Sequence, residues 1–237
     1  MATITPFWRW RLFIGWLAVS ALAGVISCLA PLLETLGYES ALLAALVTSL
    51  GAGHLAACHP HRVRTQLAPF PGARLPVLML YGRTLLQALP VAVVPLLVGL
   101  LNGLRVPPCN LLEGTLFYLL MPIPAVAIAC AAGLLAGLAT PGYRSASTLW
   151  FLIFAGSLGL ALWEFHATPA VFSYGPFYGY FPGVLYDRLV EVTPRLVTYR
   201  ATTLVQLAAL LAVGSWLVDT ASLRLAPASS RPRRAAV

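Results

Sequence analysis

Six stretches of the chain stay apolar for long enough to cross a hydrocarbon layer as helices, at roughly 12–33, 40–57, 84–101, 115–138, 148–166 and 201–218. Runs such as "LLQALPVAVVPLLVGLL" are continuously apolar, whereas strands of a membrane barrel alternate apolar and polar positions over about 10 residues. The pattern predicts an all-α, polytopic integral membrane protein of six transmembrane helices. One transmembrane domain is expected over residues 1–220, followed at 221–237 by a basic tail too short and polar to pack.

Composition agrees: 59% hydrophobic and 9% charged residues with a mean hydropathy of +0.85 exclude a water-soluble globule. All fifteen basic side chains besides histidine are arginine. Without lysine there is no P-loop and no Schiff-base chemistry. The net charge of +8 sits at the ends of apolar runs, where it orients helices, and nucleic acid is not an expected partner. With the N-terminus in the cytoplasm, eleven arginines fall on the inner side, and four (Arg105, Arg188, Arg195 and Arg200) on the outer. This bias predicts that both termini are cytoplasmic, and the class predicts a bacterial inner membrane. The opening "FWRWRLF" and the "VISC" ending at Cys28 have features of an export signal, but the apolar run continues through "LAPLL", which predicts an uncleaved first span.

Few residues offer chemistry. Haem needs two histidines at one depth, and His54 is expected near the inner end of the second span with His166 at the outer end of the fifth. His59 and His61 in "CHPHR" are expected on an inner loop, because Pro60 interrupts helical spacing; a surface role is favoured over a metal site. Ser157 in "GSLG" has no histidine at its depth and is read as a small-residue helix contact. Four single cysteines imply free thiols. Glu164, His166, Asp187 and Glu191 are the one outer cluster that a lipid-acting enzyme could use, yet Glu191 and Arg195 are spaced as an ordinary helical ion pair. No catalytic residue, metal site or cofactor is assigned.

Asn110 and Glu113 read as a helix start, as do Thr193 and Pro194. Pro90, Pro95, Pro122 and Pro124 lie inside the third and fourth spans, where broken helices line pathways, and are the pathway candidates. Between His54 and Arg83 runs the longest inner connection, expected to carry an interfacial piece, "LPVLMLYG", that Arg83 ends at the membrane surface; Arg62, Arg64, Arg74 and Arg83 are its partner-docking candidates. The segment "FSYGPFYGYFPGVLYDR" at 172–188 is expected to form an interfacial or shallow re-entrant outer cap, with Tyr174, Phe177, Tyr178, Tyr180 and Phe181 in the headgroup region. Its glycines at four-residue spacing (Gly175, Gly179, Gly183) would share one face of a short helix.

Six helices, inward termini, a long connection after helix two and re-entrant material between helices five and six resemble the permease half of an ABC-2-type exporter. The resemblance is architectural, covers the whole chain and transfers no residue. It implies a homodimer or other membrane subunits around the chain in the lipid bilayer, a separate cytoplasmic ATPase, and an amphiphilic or polymeric substrate. The other reading is a non-catalytic anchor or scaffold subunit of a larger membrane complex.

Overall fold

The computed structural model describes residues 10–67, 75–107, 110–167, 172–182, 192–220 and 222–225. Its helices are α1 (Arg11–Leu29), α2 (Tyr38–Leu67), α3 (Val77–Asn102), α4 (Leu111–Leu120), α5 (Pro122–Ala139), α6 (Tyr143–Ala167) and α7 (Pro194–Leu217). With α4 and α5 taken as one broken span, six segments are long and apolar enough to cross a membrane. Two antiparallel hairpins complete the described residues: β1 (Phe172–Gly175) with β2 (Gly179–Pro182), and β3 (Val218–Asp219) with β4 (Arg224–Leu225).

α2 and α5 form the centre. In the apolar windows of α2 and of the α4–α5 span 67% and 61% of residues are buried, against 17% in α1, α6 and α7, so the last three leave most of their surface uncovered within the chain. Sequence accounts for this directly. Ala41, Ala45, Ser49, Gly53 and Ala57 make a four-residue-spaced row on α2, and Ala125, Ala129, Gly133 and Gly137 make the matching row on α5; all nine are buried. Rows of small residues let two backbones meet, and dispersion then replaces the hydrophobic drive that lipid does not supply. A methyl group on Gly133 would overlap the Gly53 backbone, and one on Gly137 the carbonyl of Ala57.

Two predicted small-residue and loop assignments are corrected here. Among the described residues the "GSLG" glycines make no helix contact: a Cβ on Gly156 or Gly159 meets nothing within 4 Å. Nor is 58–83 an inner loop. α2 continues ten residues past position 57, with Pro60 inside it, and α3 begins at Val77. Pro60 costs one backbone donor but packs against the Gly137 region of α5, and tertiary packing overrides the local preference. His59 and His61 are therefore buried, at 1% and 6% exposure, and not on a loop surface. "VLMLYG" opens α3 and is not a separate interfacial piece, so half-buried Arg83 lies about 9 Å along that helix.

The predicted helix starts are present. Asn110 accepts a bond from the Glu113 amide, and Thr193 from the Leu196 amide with Pro194 as first helical residue. Glu113 also accepts from the Val192 amide at 3.2 Å, tying the start of α4 to that of α7. At the opposite end the chain returns to the core after α7: the Leu75 amide donates to Thr220 at 3.1 Å, and Leu223 is 1% exposed within the main apolar cluster. This anchored turn lies within the stretch expected as tail; residues 226–237 lie outside the described ones.

Candidate functional site

A polar interior is assembled where the fourth span breaks. Pro122 and Pro124 begin α5, and neither has an N–H to donate back into α4. Pro124 would otherwise serve the Leu120 carbonyl four residues earlier, so that acceptor is left open at depth. Arg200 fills it: Nε donates to Leu120 O at 2.6 Å and Nη2 to Met121 O at 2.9 Å. Arg200 is the seventh residue of α7 and is 3% exposed, so it is not the outer-loop charge that the arginine count supposed.

The third contact of this guanidinium leads to the aromatic segment. Nη1 donates to Pro176 O at 3.1 Å, at the tip of the β1–β2 hairpin. The expected helical turn with a glycine face is thus corrected to a hairpin, for a local reason. Gly175 pairs with Gly179 across a three-residue loop, and Gly179 adopts φ +107°, a conformation that glycine takes without steric cost. A Cβ at Gly175 would overlap the Tyr178 ring, so both glycines are required by the turn.

The hairpin folds back among the helices. Tyr38 donates to Tyr180 O at 2.7 Å, Ser49 to Phe177 O at 2.7 Å, and Ser173 to Ala161 O at 3.1 Å. Tyr38 starts α2 and Ser49 lies eleven residues on, so α2 holds the hairpin at two positions along its length, through Tyr180 in β2 and Phe177 in the loop. Phe177 stacks on Phe154 at 5.7 Å and meets the buried Trp150 edge-on at 5.3 Å. Tyr174 contacts the Tyr199 ring at 4.8 Å, and the Arg200 guanidinium lies 5.9 Å from the same ring. Burial first, then neighbouring Tyr174, Glu39 and Glu113, push the Tyr180 hydroxyl well above the usual phenol range; burial likewise raises Tyr178 and Tyr174.

Of the five cap residues, Phe177, Tyr178 and Tyr180 are buried, and Tyr174 and Phe181 half-buried; the structure brings them together. The pathway prolines do not converge. Pro90 is exposed on α3, Pro95 packs closely against Gly24 of α1, and Pro122 and Pro124 form the break. The arginines separate as well. Arg64 donates to Leu223 O, to His61 Nδ1 at 3.0 Å and to the carbonyls of Gly137, Leu138 and Thr140, capping the end of α5. Arg62 lies over the Trp10 ring at 5.4 Å, Arg83 is half-buried on α3, and Arg74 lies outside the described residues.

The partners of His54 and His59 set which ring nitrogen donates. Trp16 Nε1, a donor only, bonds His54 Nδ1 at 3.1 Å, and Ser147 spends its proton on Tyr143 O. His54 Nε2–H therefore donates to Ser147 Oγ at 2.8 Å. The sequence reading tested Ser157 and missed this Ser147–His54 pair, but its basic lone pair faces Trp16, so the pair does not activate the serine. His59 Nδ1 likewise donates to Thr84 Oγ1 at 2.7 Å, because Thr84 donates to Leu80 O. No group of histidine, cysteine or carboxylate side chains suited to a metal ion occurs among the described residues.

Arg200, Ser49, Tyr38 and Trp150 were not singled out by their sequence context. A signal for Arg200 was present: the Thr193–Pro194 start places it two turns inside a helix. Comparison with known protein families, with curated proteins and with solved structures finds no match for this chain.

Proposed function

We propose that the chain is a membrane transport subunit, permease-like in the manner of an ABC-2-type exporter and dependent on a separate ATPase. The observation that carries this reading is the hairpin buried among the helices beside the broken fourth span, with Arg200 bonded to both. Non-helical backbone at such depth is tolerated where protein or a cavity covers it, and it recurs at substrate sites of transporters. The hairpin is then re-entrant from the outer face. Since α2 and α5 close on each other through small residues, the route for substrate lies beside the chain, between it and a second copy or another subunit. Both termini face the cytoplasm of a bacterial inner membrane; with Arg200 inside α7 and Arg83 inside α3, three outer arginines stand against ten inner ones, which supports this orientation.

A second reading, the non-catalytic scaffold, is favoured by one observation. Arg64 is committed to the protein's own carbonyls and Arg62 to Trp10, so these two residues hold the fold together at the end where an ATPase would dock. Purification from native membranes in mild detergent separates the readings. Recovery of an ATPase, with hydrolysis in the purified complex, is the expected result; a large assembly lacking any ATPase refutes the exporter and supports the scaffold. Cysteines at Arg144 and Arg105 should label from the cytoplasmic and outer sides respectively, and the reverse refutes the orientation.

A further inference from the structure

We propose that Arg83 anchors the head group of one anionic phospholipid, at the end of the bundle where α2 stops and α3 starts, with an acyl chain of that lipid lying along the uncovered face of α3. The inference needs neither the transport nor the scaffold reading.

Arg83 is half-buried about 9 Å along α3, yet its guanidinium makes no hydrogen bond or ion pair with the described residues. The other core-facing arginines are used by the protein: Arg64 and Arg200 donate to carbonyls, and Arg62 lies over Trp10. A charge this far along a membrane helix is retained where it pairs or reaches the head-group layer. Carboxylates are not placed to pair it. Glu39 and Glu113 stand in the first turns of α2 and α4, at the opposite end, and Asp219 follows α7, where it accepts the Ser222 amide at 3.1 Å.

A second charge acts at the same place. His59 of α2 donates to Thr84 at 2.7 Å, which draws the neighbouring Arg83 to the end of α2, and Arg62 lies three residues on from His59. Both guanidiniums act electrostatically on the His59 ring. Two like charges gathered on one ring repel each other, and an anion relieves both. Phosphate matches the planar guanidinium fork, and basic pockets between membrane helices take anionic head groups. A zwitterionic head would bring its own ammonium toward these charges, so a net negative head is selected.

The tail has a path. Leu86, Pro90, Val93 and Leu97 continue from Arg83 at alternating three- and four-residue steps along one face of α3, and all four are exposed. From Leu86 to Leu97 this stripe measures about 16 Å, close to the roughly 15 Å of hydrocarbon in one leaflet. Gly82 leaves the approach to Arg83 open, since a Cβ there meets nothing within 4 Å.

The test is native mass spectrometry of the purified full chain in detergent, titrated with dioleoylphosphatidylglycerol, dioleoylphosphatidylcholine or inorganic phosphate. The first phosphatidylglycerol is expected to bind roughly tenfold more tightly than the first phosphatidylcholine, and Arg83→Gln should weaken it about fivefold, the effect of one basic residue at a lipid surface. Arg83→Lys should keep most of the preference. Because Arg83 holds no protein group, both variants should elute as the wild type does on size exclusion. Arg144→Gln removes an exposed charge at the same end and should change binding by less than about twofold. In nanodiscs, benzoylphenylalanine at Leu86 should crosslink phosphatidylglycerol, and Arg83→Gln should lower the yield. Equal binding of the two lipids, equal losses in Arg83→Gln and Arg144→Gln, or unchanged crosslinking in Arg83→Gln overturns the proposal. Displacement of the lipid by inorganic phosphate identifies a free anion as the ligand and overturns the lipid assignment.

Discussion

Gly133→Ala tests the arrangement on which everything else rests, the contact of α2 with α5. The added methyl would lie 3.0 Å from Gly53 Cα and closer still to its carbonyl. Carbon atoms prefer separations of about 3.5–4.0 Å, and the carbonyl oxygen, the nearest obstacle, requires the two backbones to part by roughly one ångström or more. The obstacle is backbone on a central helix, which does not swing aside as a side chain can. Overpacking a tight core costs about 1–3 kcal/mol, and this site belongs at the upper end. At about 2–4 °C per kcal/mol for a chain of this size, the midpoint of thermal unfolding should fall by roughly 6–12 °C. The assay is the fraction surviving size-exclusion chromatography in detergent after heating, measured beside Gly156→Ala. That control adds the same methyl group to a helix of the same protein, where it meets nothing within 4 Å, and should change stability by less than about 0.5 kcal/mol. Equal shifts in the two variants, or none in either, would refute the packing of the two central helices.

Two further outcomes follow from the polar interior. Pro124→Ala restores an N–H able to serve Leu120 O, so combined with Arg200→Gln it should recover about 1 kcal/mol of what the single arginine change loses; strict additivity in a double-mutant cycle of thermal midpoints would show that the proline does not create the acceptor. The Tyr180 hydroxyl is raised above its unfolded value of about 10, so its contribution to stability is intact below that pH and declines as pH rises beyond it. Ultraviolet titration should show a phenolate fraction that ionises only with unfolding, and Tyr180→Phe should reduce that fraction by one tyrosine; full ionisation near pH 10 in the folded protein would contradict the buried hairpin.

The apolar runs by themselves determined the class and the number of spans, because crossing hydrocarbon is a one-dimensional requirement of length and hydropathy. Helix starts were equally legible: Asn110 and Thr193 act on amides three residues away. What the sequence could not decide was where polar groups go once helices pack. Position 57 looked like the end of a span because Pro60, two histidines and two arginines follow it, yet α2 continues, since Arg64 finds carbonyls of α5 and the C-terminal turn. Arg200 looked like an orienting charge until the carbonyl orphaned by Pro124, seventy-six positions earlier, came to lie beside it. The glycine pattern at 175 and 179 fits a helix face as well as a turn; the glycines permit the hairpin, and the Tyr38 and Ser49 hydroxyls of α2 hold it by donating to its carbonyls. Each of these outcomes is a pairing of donor and acceptor between distant segments. Hydropathy and local spacing carry no term for such pairing, whereas a packed interior that excludes water demands it.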